Sequence, residues 1–282
     1  MAMKRIQKGK SDMLEQLQTA VKKLRSHTEF VPEIALILGT GLGNLAKRVK
    51  AEFEIQYGDI PHFPVSTVES HAGKLVFGEL AGKSVAVMEG RFHFYEGYTP
   101  QELTFPVRVL RELGAKVLIV SNAAGGLNLI YKKGEIILIE DHINMMGTNP
   151  LIGPHDERLG QRFPDMCQPY SERLMKLTEA SAEKENIQVR RGVYMGVSGP
   201  NLETRAEYRM MRAMGADLVG MSTVPEVIVG VQCGMEILGI SIVTDVCDPD
   251  HLEPVDIKEI IKTANEAGIK LDRLLAAAVK KF

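Results

Sequence analysis

Residues 34–44 read IALILGTGLGN, five apolar residues in a row followed by a run of glycines. A short unbroken apolar run bounded by turn residues is the pattern of a strand covered on both faces. Glycines placed directly after such a strand let the chain turn tightly and present backbone N–H groups, an arrangement suited to an anion. The spacing is not that of a dinucleotide fingerprint. The glycines are Gly39, Gly41 and Gly43, and Asn44 stands where the fingerprint requires glycine. Asp59 follows at about the right interval, but within GDIPHFP rather than at the end of a second buried strand. The Lys-Ser/Thr pair of a Walker loop is missing too. Two readings stay open: a tight strand–loop–helix turn without a ligand, or a cradle for a small anion to which the Thr40 hydroxyl contributes.

Working outward, buried-strand patterns alternate with helical ones. Residues 11–27 predict a helix with Ser11 as its N-cap. KLVFGEL and KSVAVMEG, joined through Ala81–Gly82, predict a hairpin. Residues 100–113 predict a helix opened by Pro100, with Pro106 kinking it or delaying its start. KVLIVSN and GEIILIEDHINMM read as buried strands, and SERLMKLTEASAEKEN as a helix capped by Ser171. Then come strand GVYMGVSG, helix TRAEYRMMRAMG, strand ADLVGMST, helix VPEVIVGVQCGM, strand EILGISIVTDV and a final helix over 256–280. This alternation predicts one α/β domain over residues 1–282, with a central mixed sheet flanked by helices on both faces. The irregular stretch from about His142 to Pro169 carries Met145, Met146, Phe163 and Met166. Those side chains predict packing, partly against another subunit.

Composition excludes several function classes. A net charge of −2 without a basic cluster argues against nucleic acid or an anionic membrane as partner. No apolar run reaches about 18 residues, so no membrane span is expected, and the N-terminus lacks the apolar core of a secretory signal, which points to the cytoplasm. The cysteines, Cys167, Cys233 and Cys247, are odd in number and form no CxxC pair. They read as small buried hydrophobes rather than disulfides or zinc ligands.

Polar residues gather where predicted strands end, the place where α/β sheets bind ligands. SVAVMEG runs into Arg91 and His93. Arginine offers a planar fork for phosphate oxygens, while the competing reading pairs Arg91 with Glu89 or Glu96. KVLIVSN ends in Asn122-Ala123-Ala124-Gly125-Gly126, where small side chains allow close approach to a ligand or to a packed helix. ADLVG ends in Met221-Ser222-Thr223, with Thr223 a candidate helix cap, and GISIVT ends in Thr244-Asp245.

GRFHFYEGY, SNAAGGLN, DHIN and GADLVGMSTVPEV, in that order, resemble the trimeric purine nucleoside phosphorylases. The similarity runs from about Ile34 to Thr244 and more loosely through the final helix. The related methylthioadenosine phosphorylases share the fold and some of these motifs. The resemblance implies reversible phosphorolysis, in which inorganic phosphate attacks C1′ of a purine nucleoside to give the base and ribose 1-phosphate, without a metal or organic cofactor. It implies a phosphate site of Thr40, His71, Arg91, His93, the Ala123 N–H and Ser222. Tyr95 and Met221 fall at ribose positions, and Glu203 and Asp245 at base positions beside Leu202 and Thr244. His93, Glu203 and Asp245 are the catalytic candidates. Phe163 matches an aromatic lent to the neighbouring subunit of a homotrimer.

The sequence departs from that pattern in ways that bear on the substrate. Thr40 stands for a frequent serine, and Leu202 for a phenylalanine that packs on the purine. Asp245 stands where enzymes for 6-oxopurines usually have asparagine. An ionised aspartate has no donor for O6 but accepts from a 6-amino group. Glu203 suits the N1–H and 2-amino donors of guanine instead. Together they predict broad or altered base specificity. Ile257 falls near the position of a histidine that meets the ribose 5′-hydroxyl. An apolar side chain there suits a 5′-methylthio group and keeps methylthioadenosine phosphorylase as the alternative. Nicotinamide-dependent dehydrogenase chemistry fails on the glycine spacing. A nucleoside hydrolase would carry an aspartate cluster for calcium, and no DxD run opens this chain.

Overall fold

The computed structural model describes residues 2–39, 45–65 and 72–282, with side chains described from Met13 in the first helix. Thr40 and His71 therefore lie outside the described residues. Nine strands form one mixed sheet among the described residues. They are β1 (Ile34–Leu38), β2 (Lys50–Gln56), β3 (Lys74–Leu80), β4 (Lys83–Glu89), β5 (Val117–Gly126), β6 (Ile136–Asn144), β7 (Val189–Gly196), β8 (Leu218–Gly220) and β9 (Glu236–Val246). The spatial order is β2-β3-β4-β1-β5-β8-β7-β6-β9, and β9 also pairs with β5, so the last five strands close into a ring.

The register explains where a site can form. β1 runs parallel to β4 (Ile34 opposite Val85) and to β5 (Ile34 opposite Val117), and β5 runs parallel to β9 (Val117 opposite Glu236). Four neighbouring parallel strands thus release their carboxyl ends along one edge. From that edge emerge Arg91, Gly39, Ala123 and Thr244-Asp245. β8 meets the end of β5 antiparallel, Gly125 opposite Val219, which brings Met221 and Ser222 to the same edge.

Helices α1 (Ala2–Arg25), α2 (Pro100–Glu112), α3 (Glu172–Lys184), α4 (Arg205–Ala213), α5 (Val224–Gln232) and α6 (Ile257–Val279) cover the sheet. α2 packs between α1 and α5, while α3 packs on α6, and both groups touch β9. β1 is buried along its whole length, as its unbroken apolar run requires. α4 seats Tyr208 and Met211 on a smaller apolar cluster with Leu127, Met195, Val219 and Cys247.

Several local expectations change. α1 begins at Ala2, so Ser11 lies within the helix and does not cap it. β2 escaped notice because it is mostly exposed; its alternation, Phe53 and Ile55 against polar neighbours, is the signal of an edge strand. β5 does not stop at Asn122 but runs to Gly126, with a register shift between Ala124 and Gly125. Pro106 lies inside α2, which starts on time because Thr99 and Glu102 form a capping box behind Pro100. Ser171 caps α3 as expected, accepting from the Leu174 N–H. Cys247 is buried and Cys233 half-buried, but Cys167 is exposed rather than a core hydrophobe.

Candidate active site

The strand ends open onto a cleft of about 300 Å³ lined by Gly39, Arg91, His93, Tyr95, Ala123, Ser222, Met221, Leu202, Glu203, Thr244, Asp245 and Ile257. Gly39 must be glycine. A Cβ there would sit 2.7 Å from the Ser121 carbonyl oxygen and 2.9 Å from Asn122 Cα, both backbone atoms of β5.

At one end, Arg91 is fully buried and held as a fork. Its Nε and Nη2 donate to Glu226 at 3.1 and 2.9 Å, and Nη1 donates to the Ser121 carbonyl at 2.5 Å. The competing reading, a structural ion pair with a glutamate, holds in kind, but among the described residues the partner is Glu226 rather than Glu89, which faces Lys74, or Glu96, which faces His93. Glu226 neutralises Arg91 locally and fixes its plane, so the guanidinium is at once structural and part of the cleft wall. His93 lies with Nδ1 3.1 Å from Glu96 Oε1, and its ring stacks on Tyr95 at 4.7 Å. Burial, with Glu96 adding to it, pushes the Tyr95 phenol up to about 12, so it stays a neutral donor.

Ser222 is presented by a strained turn. Thr223 has φ 70° and ψ −54°, and the Val224 N–H donates back to the Ser222 carbonyl at 2.7 Å. That is a γ-turn of the rare form, unusual for a β-branched residue and characteristic of functional sites. Thr223 makes no side-chain cap for α5, contrary to expectation. Its hydroxyl instead accepts from Asn122 Nδ2 at 2.8 Å and shares a hydrogen with Ser222 Oγ at 3.1 Å. Ser241 Oγ donates to Asn122 Oδ1 at 2.7 Å, and the Ser222 N–H donates to the Tyr194 hydroxyl at 3.3 Å. A buried chain of neutral groups thus holds the strained turn in place.

At the other end stand Glu203 and Asp245. Burial raises the Glu203 carboxyl, helped by repulsion from Glu207 and Asp245 and opposed by hydrogen bonds from its own backbone N–H and Tyr208. Asp245 Oδ1 accepts from Thr244 Oγ1 at 2.9 Å, and Oδ2 accepts from the Cys247 thiol at 3.3 Å. Leu202 and Ile257 are substantially exposed on this wall, with Ile260 and Ile261 beside Ile257 on α6.

The structure therefore gathers Arg91, His93, Ala123, Ser222, Tyr95, Met221, Leu202, Glu203, Thr244, Asp245 and Ile257 in one cleft. Phe163 is not among them; it is 86% exposed and borders a separate shallow depression with His142, Met166 and Ile228. Sequence reasoning missed Glu226, Tyr208 and Cys247. Glu226 was findable, as the lone charge in a helix that is otherwise apolar up to its last residue, Gln232, and so needs a buried partner. Tyr208 and Cys247 carried no such signal.

A sheet edge that sets phosphate-type donors opposite purine-type carboxylates is the arrangement of a phosphorylase, and the model of the phosphorylase superfamily matches residues 33–280. Purine nucleoside phosphorylase 1 of Geobacillus stearothermophilus is 50% identical over 266 residues, covering 94% of this chain and 97% of that protein. Mouse purine nucleoside phosphorylase is 46% identical, covering 95% of each chain. The crystal structure of Schistosoma mansoni purine nucleoside phosphorylase in complex with adenosine superimposes with a TM-score of 0.90 at 39% identity, covering 95% of this chain and 97% of that one. The chain belongs to the phosphorylase superfamily and, within it, to the purine nucleoside phosphorylases.

Proposed function

We propose that this protein is a purine nucleoside phosphorylase, a pentosyltransferase that cleaves purine nucleosides with inorganic phosphate as co-substrate. The carrying observation is that one cleft joins Arg91, His93 and Ser222 at one end to Glu203 and Asp245 at the other. A phosphate oxygen attacks C1′ as the bond to N9 breaks. Positive charge develops on the ribose and negative charge on the departing purine. Phosphate held by Arg91, His93, the Ala123 N–H and Ser222 serves as nucleophile and counter-charge; the family resemblance adds Thr40 and His71, which lie outside the described residues. A carboxyl group at the base end manages the proton the leaving purine needs. Tyr95 and Met221 hold the ribose. Leu202, Thr244 and Ile257 complete the nucleoside wall. No metal or organic cofactor has a role in this scheme.

The methylthioadenosine alternative is not favoured. Its apolar Ile257 wall is present, but the relatives just named are purine nucleoside phosphorylases, and Glu203 within NLETRAE follows their version of that stretch. On the family resemblance we further propose a cytoplasmic homotrimer in which the exposed Phe163 completes the neighbouring subunit's cleft. Initial rates with inosine, guanosine, adenosine and methylthioadenosine, with and without phosphate, test the function. Phosphate-dependent release of base is expected, and cleavage independent of phosphate would overturn it.

A further inference from the structure

Ser222 ends a line of neutral groups whose hydrogens can be placed one by one. Ser241 Oγ donates to Asn122 Oδ1 at 2.7 Å, and Asn122 Nδ2 donates to Thr223 Oγ1 at 2.8 Å. Thr223 Oγ1 lies 3.1 Å from Ser222 Oγ. Ser241, Thr223 and Asn122 are buried, and Ser222 reaches the cleft. The sheet register builds the first link: β5 and β9 run parallel with Asn122 opposite Ser241. Among the described residues, the side chains of these four make no other hydrogen bond.

Four groups in series admit two directions. In the one just given, the Thr223 oxygen already accepts from Asn122, so its hydrogen goes to Ser222 Oγ. The Ser222 hydrogen is then left to point into the cleft. In the reverse direction the amide is turned over, Thr223 donates to Asn122 and Ser222 donates to Thr223. The Ser241 hydrogen then has no acceptor. A buried hydroxyl left unpaired carries its full desolvation penalty, so the first direction holds.

Resting on the reading of this end of the cleft as the phosphate site, we propose that Asn122 and Ser241 are positioning residues that act through Thr223. They fix Ser222 as a donor, so that this wall recognises an anion oxygen carrying no hydrogen. The strained turn serves the same end, because it sets the Thr223 hydroxyl between Asn122 and Ser222.

The test is calorimetry of sulfate and phosphate binding at alkaline pH, where both anions carry two negative charges and only phosphate keeps a hydrogen. Asn122→Asp reverses the chain. Its carboxylate accepts from Ser241 and Thr223, Thr223 accepts from Ser222, and Ser222 shows the cleft a lone pair. Phosphate can answer with its own hydrogen and sulfate cannot. The affinity for sulfate relative to phosphate is expected to fall about tenfold in N122D, while the added charge weakens both anions alike. Thr223→Val cuts the chain, so N122D/T223V is expected to keep the ratio of T223V. Ser241→Ala adds no charge and leaves the two directions about equal, so its ratio is expected to fall about twofold. Thermal unfolding checks each variant, and S241A decides should N122D fail to fold. An unchanged ratio in the deciding variant, or a fall that persists in N122D/T223V, would overturn the chain. Anion binding without phosphate-dependent cleavage of nucleosides would remove the phosphorolysis reading while the ratio still decides the chain. Binding of neither anion by wild type would remove both.

Discussion

Glu226→Ala deletes the carboxylate that accepts two N–H groups of the buried Arg91. Arg91 and Glu226 are 1% and 3% exposed, so water cannot take the place of the lost partner without rearrangement. Breaking such a pair from one side costs about 3–5 kcal/mol. At about 2.1 cal/mol/K of unfolding entropy per residue, 282 residues give about 0.6 kcal/mol/K. The midpoint is then expected to fall by about 5–8 °C. The measurement is thermal unfolding by circular dichroism at pH 7 for E226A, Arg91→Met and the double variant, closed as a cycle. R91M/E226A should be more stable than E226A, since it carries no isolated buried charge. Added phosphate should raise the midpoint of E226A more than that of wild type, because an anion at Arg91 replaces part of the missing charge. An E226A midpoint within about 1 °C of wild type, or a double variant less stable than E226A, would refute the account of Arg91 as a buried, carboxylate-locked fork.

Burial pushes the Asp272 carboxyl up to about 6, against attraction from Arg48 and Lys47. A raised carboxyl binds more protons folded than unfolded, so stability falls as pH rises from about 4 to about 6 and is then level. Asp272→Asn should remove this slope and raise stability at pH 7 by about 1–2 kcal/mol after solvent screening; equal pH dependence of the two proteins in denaturant titrations would count against it. Asp245→Asn gives the base end an amide donor, and the inosine-to-adenosine ratio of kcat/KM is expected to rise about tenfold or more; an unchanged ratio would mean that Asp245 does not face the base. Phe163→Ala should raise KM for nucleosides several-fold and leave KM for phosphate unchanged, with unaltered nucleoside kinetics refuting the proposed contribution to a neighbour's site.

Much of the fold was legible because its signals are local. Unbroken apolar runs such as IALIL and VLIV have no stable place except inside a covered sheet, and caps such as Ser171 act within three residues of themselves. β2 was lost because an exposed edge strand carries little apolar signal. The functional residues at strand ends were legible for a related reason. Strand ends can be read from the sequence, and in a parallel sheet they are where ligands go.

What only the tertiary structure decided are the partnerships. Arg91 and Glu226 are 135 positions apart; a lone acid in an apolar helix calls for a buried partner, but nothing local says that the partner is Arg91. Cys247 reads in the sequence as a small hydrophobe and becomes a donor because β5 and β9 run side by side, with Gly125 leaving room for its sulfur beside Asp245. Tyr208 reaches the same cleft from α4. The sequence by itself determined the α/β class, the elements and most of the chemical groups, since these depend on side-chain pattern along the chain. Which groups hold one another depends on register between distant strands, and that follows from packing the whole sheet.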